Sequence, residues 1–463
     1  MTFSQNASLK FNETNKYFFL IIFFLMSGRV FCQQHSSNSK TNLFRASVVK
    51  VDITPTTPKQ LIGYGARLST GVHDRIYHRI IALDDGLTQF FLVSSELGAF
   101  SPSEYDHVAE LLHKQLGIEP VNFWWSVTHT HSAPEVGVAG LPGTFLGDRY
   151  KHEVDTAYTS FIEQSLINGI TEARQRLAPA KLGVGWGFSQ ANINRRAIDI
   201  DGKASLGINP DGAVDRRIGL IRFEKQDGTP LALISNYPIH GTVLGPANLE
   251  ISGDVAGTVS EYVEQKTGAP LIFINGAAGN LAPIYSVYPT PDAGHLSQFR
   301  VLLGDKILEA NKRILSTTDS VKLFTGGLTI ETPRKADLSW PPDLSEYTST
   351  TKNGINLVNL PIRFLKINDD VAIWSAPVEL FCELSNEVRE RSPFQFTFYF
   401  GYTNGWLGYL PTQDAWKHGG YEVDVVSPYT EGVGKEVLEN VIGYLQGEMK
   451  SISAESQKTK KKR

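Results

Sequence analysis

The chain has 463 residues, with 44 Lys+Arg against 48 Asp+Glu and a formal net charge of −4. That balance excludes the basic footprint of a nucleic-acid binder. A hydrophobic content of 41% with 41 glycines and 23 prolines excludes a disordered chain. It describes a loop-rich globular protein of the α/β or mixed α+β class, with about 400 residues available for one large domain.

In residues 1–32, Lys10 and Lys16 precede an apolar run from Tyr17 to Met26, followed by Ser27-Gly28. This is the pattern of an export signal, and the run is too short to span a bilayer comfortably. Arg29-Val30-Phe31 fits a lipoprotein signal poorly, so simple cleavage near Cys32–Gln33 is expected rather than lipid attachment at Cys32. The expectation is a secreted or periplasmic protein with no transmembrane segment after signal removal. Cys382 is then the only cysteine, a core residue with no disulfide partner. Residues 33–42 read as a linker, 43–450 as one catalytic domain with mixed sheets flanked by helices, and 451–463 as a disordered basic tail.

In chain order, Phe44 to Ile53 reads as a strand stopped by Thr54-Pro55, and Gly63-Tyr64-Gly65 as a tight loop. Ile76 to Leu83 and Gln89 to Ser95 read as strands joined at Asp84-Asp85-Gly86. Pro102 opens a helix that Gly117 closes after Leu116, and the strand Asn122 to Val127 follows. Strand, helix, strand is a crossover unit and predicts a partly parallel sheet. The last strand runs into Thr128-His129-Thr130-His131-Ser132. Residues two apart share a strand face, so His129 and His131 are expected to project together where open α/β sheets place ligands. Paired imidazoles there are a common start to a metal site.

Further on, Val154 to Leu177 reads as a helix, Lys181 to Gly187 as a strand, and Asn192 to Arg196 as a loop. A hairpin of Arg217 to Phe223 and Leu231 to Tyr237 runs into Ile239-His240-Gly241-Thr242. Ser252-Gly253-Asp254 caps a helix to Thr267. The strand Pro270 to Ile274 leads into Asn275-Gly276-Ala277-Ala278-Gly279-Asn280. A helix over Leu296 to Leu315 and strands near 322–331, 355–364 and 371–374 come next. Pro377-Val378-Glu379 is expected to start a helix reaching Arg391, where helix-dipole stabilisation alone would favour the glutamate. A strand to Phe400, the cluster Asn404 to Tyr409 and a closing helix over Glu431 to Met449 complete the chain.

Several strand exits therefore carry polar clusters. A zinc hydrolase needs three or four N/O ligands and an open position for water. A glycine-rich loop such as Asn275 to Asn280 can offer backbone N–H groups to an oxyanion. Spacing alone does not bring these exits together.

The set resembles the catalytic domain of the neutral/alkaline (non-lysosomal) ceramidases. The matching segments keep the family's order: Val51-Asp52-Ile53-Thr54-Pro55 with Gly63-Tyr64, Thr128 to Pro134 (THTHSAP), Asn192-Ile193-Asn194-Arg195, His240-Gly241-Thr242, Ser252-Gly253-Asp254, Ala278-Gly279-Asn280, Pro377-Val378-Glu379, and Asn404 to Tyr409 with Tyr421-Glu422. The resemblance implies a zinc cofactor held by His129, His240, Glu379 and Tyr409. It places His131 against the zinc-bound water or substrate as the proton-handling group. Tyr421 and Arg195 would steady the tetrahedral intermediate, with Asn275, Gly276 and Ala277 as an oxyanion or substrate loop. Asp254 falls at a position that orients a ligand histidine. The implied reaction is hydrolysis of the N-acyl amide of ceramide or a related N-acyl compound by a zinc-activated water, so the implied partner is a lipid or small molecule. An esterase, or a non-catalytic metal-stabilised binding protein, are the alternatives. Two departures stand out: Gly276 occupies the family's serine position, and only a helix and tail follow Asp424, where the family carries a sandwich domain. A barrel amidohydrolase also begins with His-x-His, but the eleven histidines do not supply its later ligand series. Nothing in the sequence sets the oligomeric state.

Overall fold

Eight strands form the largest sheet of the computed structural model, which describes residues 43–150, 152–285 and 295–461. The export signal and Cys32 lie outside the described residues. The strand order is Leu271–Asn275, Pro230–Tyr237, Arg217–Lys225, Ala178–Phe188, Arg45–Asp52, Tyr77–Asp84, Gln89–Ser95, Phe123–Val127. Inner pairs are antiparallel. The pair at each end is parallel, and parallel neighbours require a crossover. The helices Pro102–Leu116 and Asp254–Thr267 are those crossovers. A second sheet contains Leu323–Pro333, Asn356–Ile367, Val371–Ser375 and Phe396–Phe400, with Thr348–Thr350 at its side. Its last two strands are again parallel, joined through the helix Cys382–Arg391.

The sheets pack face to face, and the alternation of side chains shows it. Phe90, Leu92, Val371, Ile373, Phe398 and Phe400 share the inter-sheet core with Trp124 and Phe223. Their neighbours Phe91, Val93, Ala372, Trp374 and Tyr399 point outward, into a core shared with helices. The helices Pro102–Leu116 and Thr156–Gln175 cover one half of the large sheet through Val108, Leu112, Ile162 and Leu166. The helix Asp254–Thr267 covers the other half through Val255, Val259 and Val263. Burying each such apolar side chain contributes about 1.5–3 kcal/mol. The large sheet also curls: Ser94 Oγ, near one end, donates to the Phe273 carbonyl at the other, at 2.5 Å. That curl brings distant strand exits to one place.

Three expectations are corrected. Asn192–Ile198 is a strand, not a loop, flanked by Ala204–Asn209 and Leu281–Pro283. Glu379 does not start a helix: Glu379–Leu380 pairs in parallel with Tyr409–Leu410, and the helix begins at Cys382. The closing helix runs over Val433–Lys461, because no proline or glycine follows Gly447 to stop it. Among the described residues no helix is long and apolar enough to cross a membrane. Cys382 is buried in the core.

Two acidic side chains meet beneath the loop that follows the His-x-His segment. Glu104, in the first turn of Pro102–Leu116, is almost fully buried, and its carboxyl lies beside that of Glu163 on the neighbouring helix. Burial and the Glu163 charge push Glu104 up to about 8. The folded state therefore holds a proton on Glu104 from about pH 5 to 8, whereas the unfolded chain has released it. The contribution is present at low pH and is lost as pH rises through the folded value. Replacing Glu104 by Gln should remove this dependence: measured by thermal denaturation from pH 5 to 9, the melting temperature of the variant should gain on that of the native chain as pH rises.

Candidate metal centre

The histidines converge by a route other than strand pleating. The strand ends at Val127, and His129 has φ 62°, in the left-handed region. Thr130 bridges Gly241, and His131 N donates to the Gly241 carbonyl at 2.8 Å. Gly241 is required there, since a Cβ would lie 2.5 Å from Thr130 Cα. The imidazole centroids are then 4.9 Å apart for His129–His131, 4.8 Å for His129–His240 and 5.6 Å for His131–His240. Gly63, at φ +105°, leaves room for the His131 ring, where a Cβ would stand 2.4 Å from its Cγ. Asn275 ties both histidine segments together: Oδ1 accepts from Ile239 N at 3.0 Å, and Nδ2 donates to the Ile239 carbonyl at 2.8 Å and the Thr128 carbonyl at 3.3 Å.

Backbone carbonyls fix the tautomers. His129 Nδ1 donates to Gly98 O at 2.7 Å. His240 Nδ1 faces Ala278 O at 2.9 Å and Leu281 O at 3.0 Å. Both Nε2 atoms are left as lone-pair donors to a metal, facing Glu379 at 3.3 Å (His129 to Oε1) and 3.2 Å (His240 to Oε2). Burial and Arg195 push His240 down to about 4, so it is neutral, the ligating form. Burial alone would raise Glu379, but His129 and His240 outweigh it and hold the carboxylate well below its usual range. His131 Nε2 stands 3.3 Å from His129 Nε2, and its buried Nδ1 has no hydrogen-bond partner.

The two-residue parallel pairing sets Glu379 directly opposite Tyr409. Tyr409 Oη lies 3.4 Å from His240 Nε2 and accepts from Arg195 Nη2 at 3.0 Å. Burial pushes its phenol well up, with Arg195 opposing. The Glu379 oxygens accept from Trp406 Nε1 at 2.9 Å (Oε1) and Tyr402 Oη at 3.3 Å (Oε2). Tyr402 also stacks on His129 at 4.3 Å. Trp406, Tyr402 and Glu422 carry contacts that sequence reasoning did not assign. The available signal was the density of aromatic and amide residues around Asn404 to Tyr409 and the adjacency of Glu422 to Tyr421.

These residues fit a metal ion on the chemistry of their donors. The Nε2 atoms of two imidazoles and the oxygens of a carboxylate face one another, an arrangement that a shared cation satisfies. The separations of 3.2–3.4 Å equal the edge of a tetrahedron with bonds of about 2.0–2.1 Å. His129, His131 and His240 also have ligand atoms within 4.8 Å of one another. Arg195 Nη1 lies 3.0 Å from His240 Nε2, so the guanidinium and a bound ion would compete for that lone pair.

Not every expected site residue faces the pocket. His129, His131, Glu379, Tyr409 and Tyr421 line a pocket whose other walls are mostly apolar and include Ile62, Ala99, Pro142, Phe145, Leu146 and Trp406, while His240 lies buried behind them. Arg195, expected to face the intermediate, sits behind the cluster, because Glu422 fixes its Nε at 2.9 Å and its Nη atoms engage His240 and Tyr409. Asn275, Gly276 and Ala277, expected as an oxyanion or substrate loop, are absent from the lining. Asn275 is wholly buried and its amide is committed to the histidine segments. Asp254, expected at a ligand histidine, instead accepts from Val243 N and Leu244 N at 3.1 and 3.0 Å, fixing the chain just past His240.

A side chain at Gly276 would place its Cβ 3.0–3.2 Å from Pro238 Cβ, N and Cα. Gly276→Ser is therefore an overpacking change. It should lower stability by about 1–3 kcal/mol in denaturant titration while leaving metal content unchanged. A loss of metal would instead place this loop in the ligand machinery.

The family model described as neutral/alkaline non-lysosomal ceramidase, N-terminal, matches residues 44–275. Neutral ceramidase B of Dictyostelium discoideum is 27% identical over 305 residues, covering 60% of this chain and 40% of that protein. Neutral ceramidase of Pseudomonas aeruginosa is 26% identical over 258 residues, covering 53% and 38%. The chain thus spans about two-fifths of the length of these relatives. The crystal structure of neutral ceramidase from Pseudomonas aeruginosa superposes with a TM-score of 0.69 at 19% identity, covering 88% of this chain and 75% of that one, and shares its fold. With half its length matched by that family model, the chain belongs to the neutral/alkaline non-lysosomal ceramidase family.

Proposed function

We propose that the protein is a zinc-dependent amidohydrolase that cleaves the N-acyl amide of ceramide or a related N-acyl compound. One observation carries the reading: four oxygen and nitrogen donors of the right type, on His129, His240, Glu379 and Tyr409, gather at one end of an apolar pocket. A solved relative described as ceramidase complexed with C2 has the same fold, with a TM-score of 0.70 at 19% identity. The family and the apolar walls support a lipid acyl group as the substrate class.

Bound there, zinc would supply Lewis acidity and bring the pKa of its water to about 7. His129 and His240, oriented by backbone carbonyls, present Nε2 to the ion, and Glu379 and Tyr409 complete the set. His131 lacks the carbonyl partner that orients the other two imidazoles, and second-partner orientation is usual for ligating histidines. It is instead a proton carrier: burial and the neighbouring His129 and His240 hold it well below its ordinary value. It therefore accepts a proton only transiently and hands it to the leaving amine. Tyr421, in the pocket wall, is the group placed to donate to the oxygen of the intermediate. Arg195 acts from behind by steadying the Tyr409 oxygen. The glycine at 276 does not remove the attacking group in this scheme. The reading also includes export, supported by the charged and apolar pattern of residues 1–32. Protein recovered from the medium with Met1 still in place would remove that part.

Purified protein should contain about one zinc per chain by elemental analysis and release fatty acid from ceramide. Chelation should abolish release and zinc should restore it. His129→Ala and Glu379→Ala should lose both metal and turnover. Zinc uptake without turnover on ceramide or simpler N-acyl amides would leave a metal-stabilised binding protein. Faster turnover of matched esters would make it an esterase.

A further inference from the structure

We infer that Trp406 is a positioning residue that holds the Glu379 carboxylate in its metal-ligating orientation; the inference rests on the metal site proposed above. The indole Nε1 donates to Glu379 Oε1 at 2.9 Å, shorter than either histidine approach to that carboxylate. Phe145 and Tyr409 stand roughly perpendicular to the ring, with centroids 6.0 and 6.4 Å away. The chain around it is fixed as well, since Leu407 N donates to Pro377 O at 2.6 Å and Glu379 N to Gly408 O at 3.0 Å. A donor on a packed ring carried by an anchored backbone has little freedom to turn away from Glu379. A buried indole N–H ordinarily finds a partner, but here the partner is a carboxylate facing two imidazole lone pairs. Hydrogen-bonded partners of a metal-ligating carboxylate set its orientation, and losing one typically costs 10–100-fold in metal affinity or activity.

The same ring is a wall of the pocket. Its apolar surface meets whatever occupies the cavity, and its N–H meets the metal ligand. A purely structural wall residue would contribute only the first. The two roles separate in substitution, because Trp406→Phe keeps an aromatic wall and deletes the N–H, whereas Leu146→Ala alters the wall and keeps the N–H.

Zinc affinity is measured by competition with a chromophoric chelator, and ligand geometry by the visible spectrum of the cobalt-substituted protein. Trp406→Phe should bind zinc 10–100-fold more weakly, shift the cobalt bands, and lower kcat with KM changed by less than about threefold. Leu146→Ala, at a wall residue of the same pocket, should change KM for the acyl substrate and leave zinc affinity and cobalt bands as in the native chain. Unchanged zinc affinity and cobalt bands in Trp406→Phe, with only KM raised, would overturn the inference and leave Trp406 as wall alone. Equal loss of zinc in both variants would also overturn it. Should Trp406→Phe fail to fold, Trp406→Leu is read by the same criteria. A native chain that takes up no zinc refutes the metal site itself, and this inference with it; a native chain that takes up zinc as tightly as Trp406→Phe refutes the inference alone.

Discussion

A carboxylate sealed against two imidazole lone pairs is the constraint on which the rest of the molecule depends. Glu379 is 2% exposed and His240 0%, so water does not solvate the groups set face to face. A buried charge is costly unless it is paired and hydrogen-bonded. The surroundings answer in layers. Trp406 and Tyr402 donate to the carboxylate, and backbone carbonyls hold the histidine protons on Nδ1. Arg195 brings a fixed positive charge from behind, itself pinned by Glu422, which also binds Arg196 Nη1 at 2.7 Å. Burial disfavours the Arg195 charge, yet Tyr409, Glu422 and Glu379 outweigh it. Each charge in the cluster is thus paired or hydrogen-bonded by a neighbour.

Topology delivers these groups from positions as far apart as His129 and Tyr409. In the two main sheets, among the described residues, three parallel strand pairs are joined through a crossover helix, and each time the strand ends feed the site. Phe123–Val127 leads to His129 and His131, and Pro230–Tyr237 to His240. Its parallel partner Leu271–Asn275 ends in the amide that ties those two exits together. Val371–Ser375 and Phe396–Phe400 lead to Glu379 and to Tyr402, Trp406 and Tyr409. Crossovers place carboxyl ends of parallel neighbours on one side, and the curl of the large sheet brings its two ends within a side chain of each other.

The legible parts of the fold were those written in local chemistry. Proline at the start and glycine after the end marked Pro102–Leu116, where Gly117 adopts the left-handed conformation expected of a C-cap. Alternating and continuous apolar runs located the central strands to within a few residues. The missed parts depend on partners far along the chain. Asn192–Ile198 looks like a loop because its polar residues show no period, and it becomes a strand through a local hairpin with Ala204–Asn209 and a distant partner, Leu281–Pro283. Glu379 looks like a first-turn helix acid because the segment at Tyr409 that claims its backbone lies 30 residues later. Convergence of His129 and His131 followed from a two-residue spacing, but the actual device is a left-handed residue held by the bridge of Thr130 to Gly241.

The displaced residues also bear on whether the missing serine matters. Gly276 packs against Pro238, two residues before His240, and its carbonyl is close enough to Gly401 that a Cβ there would lie 2.5 Å from it. The loop is thus a spacer between two strand exits, with no free path to the pocket. A nucleophile at this position would have to displace the backbone that carries His240 before it reached a substrate. In the proposed hydrolysis, attack would come from the side where His129, His240 and Glu379 converge, and the groups that matter for it are those that keep these three turned toward one another.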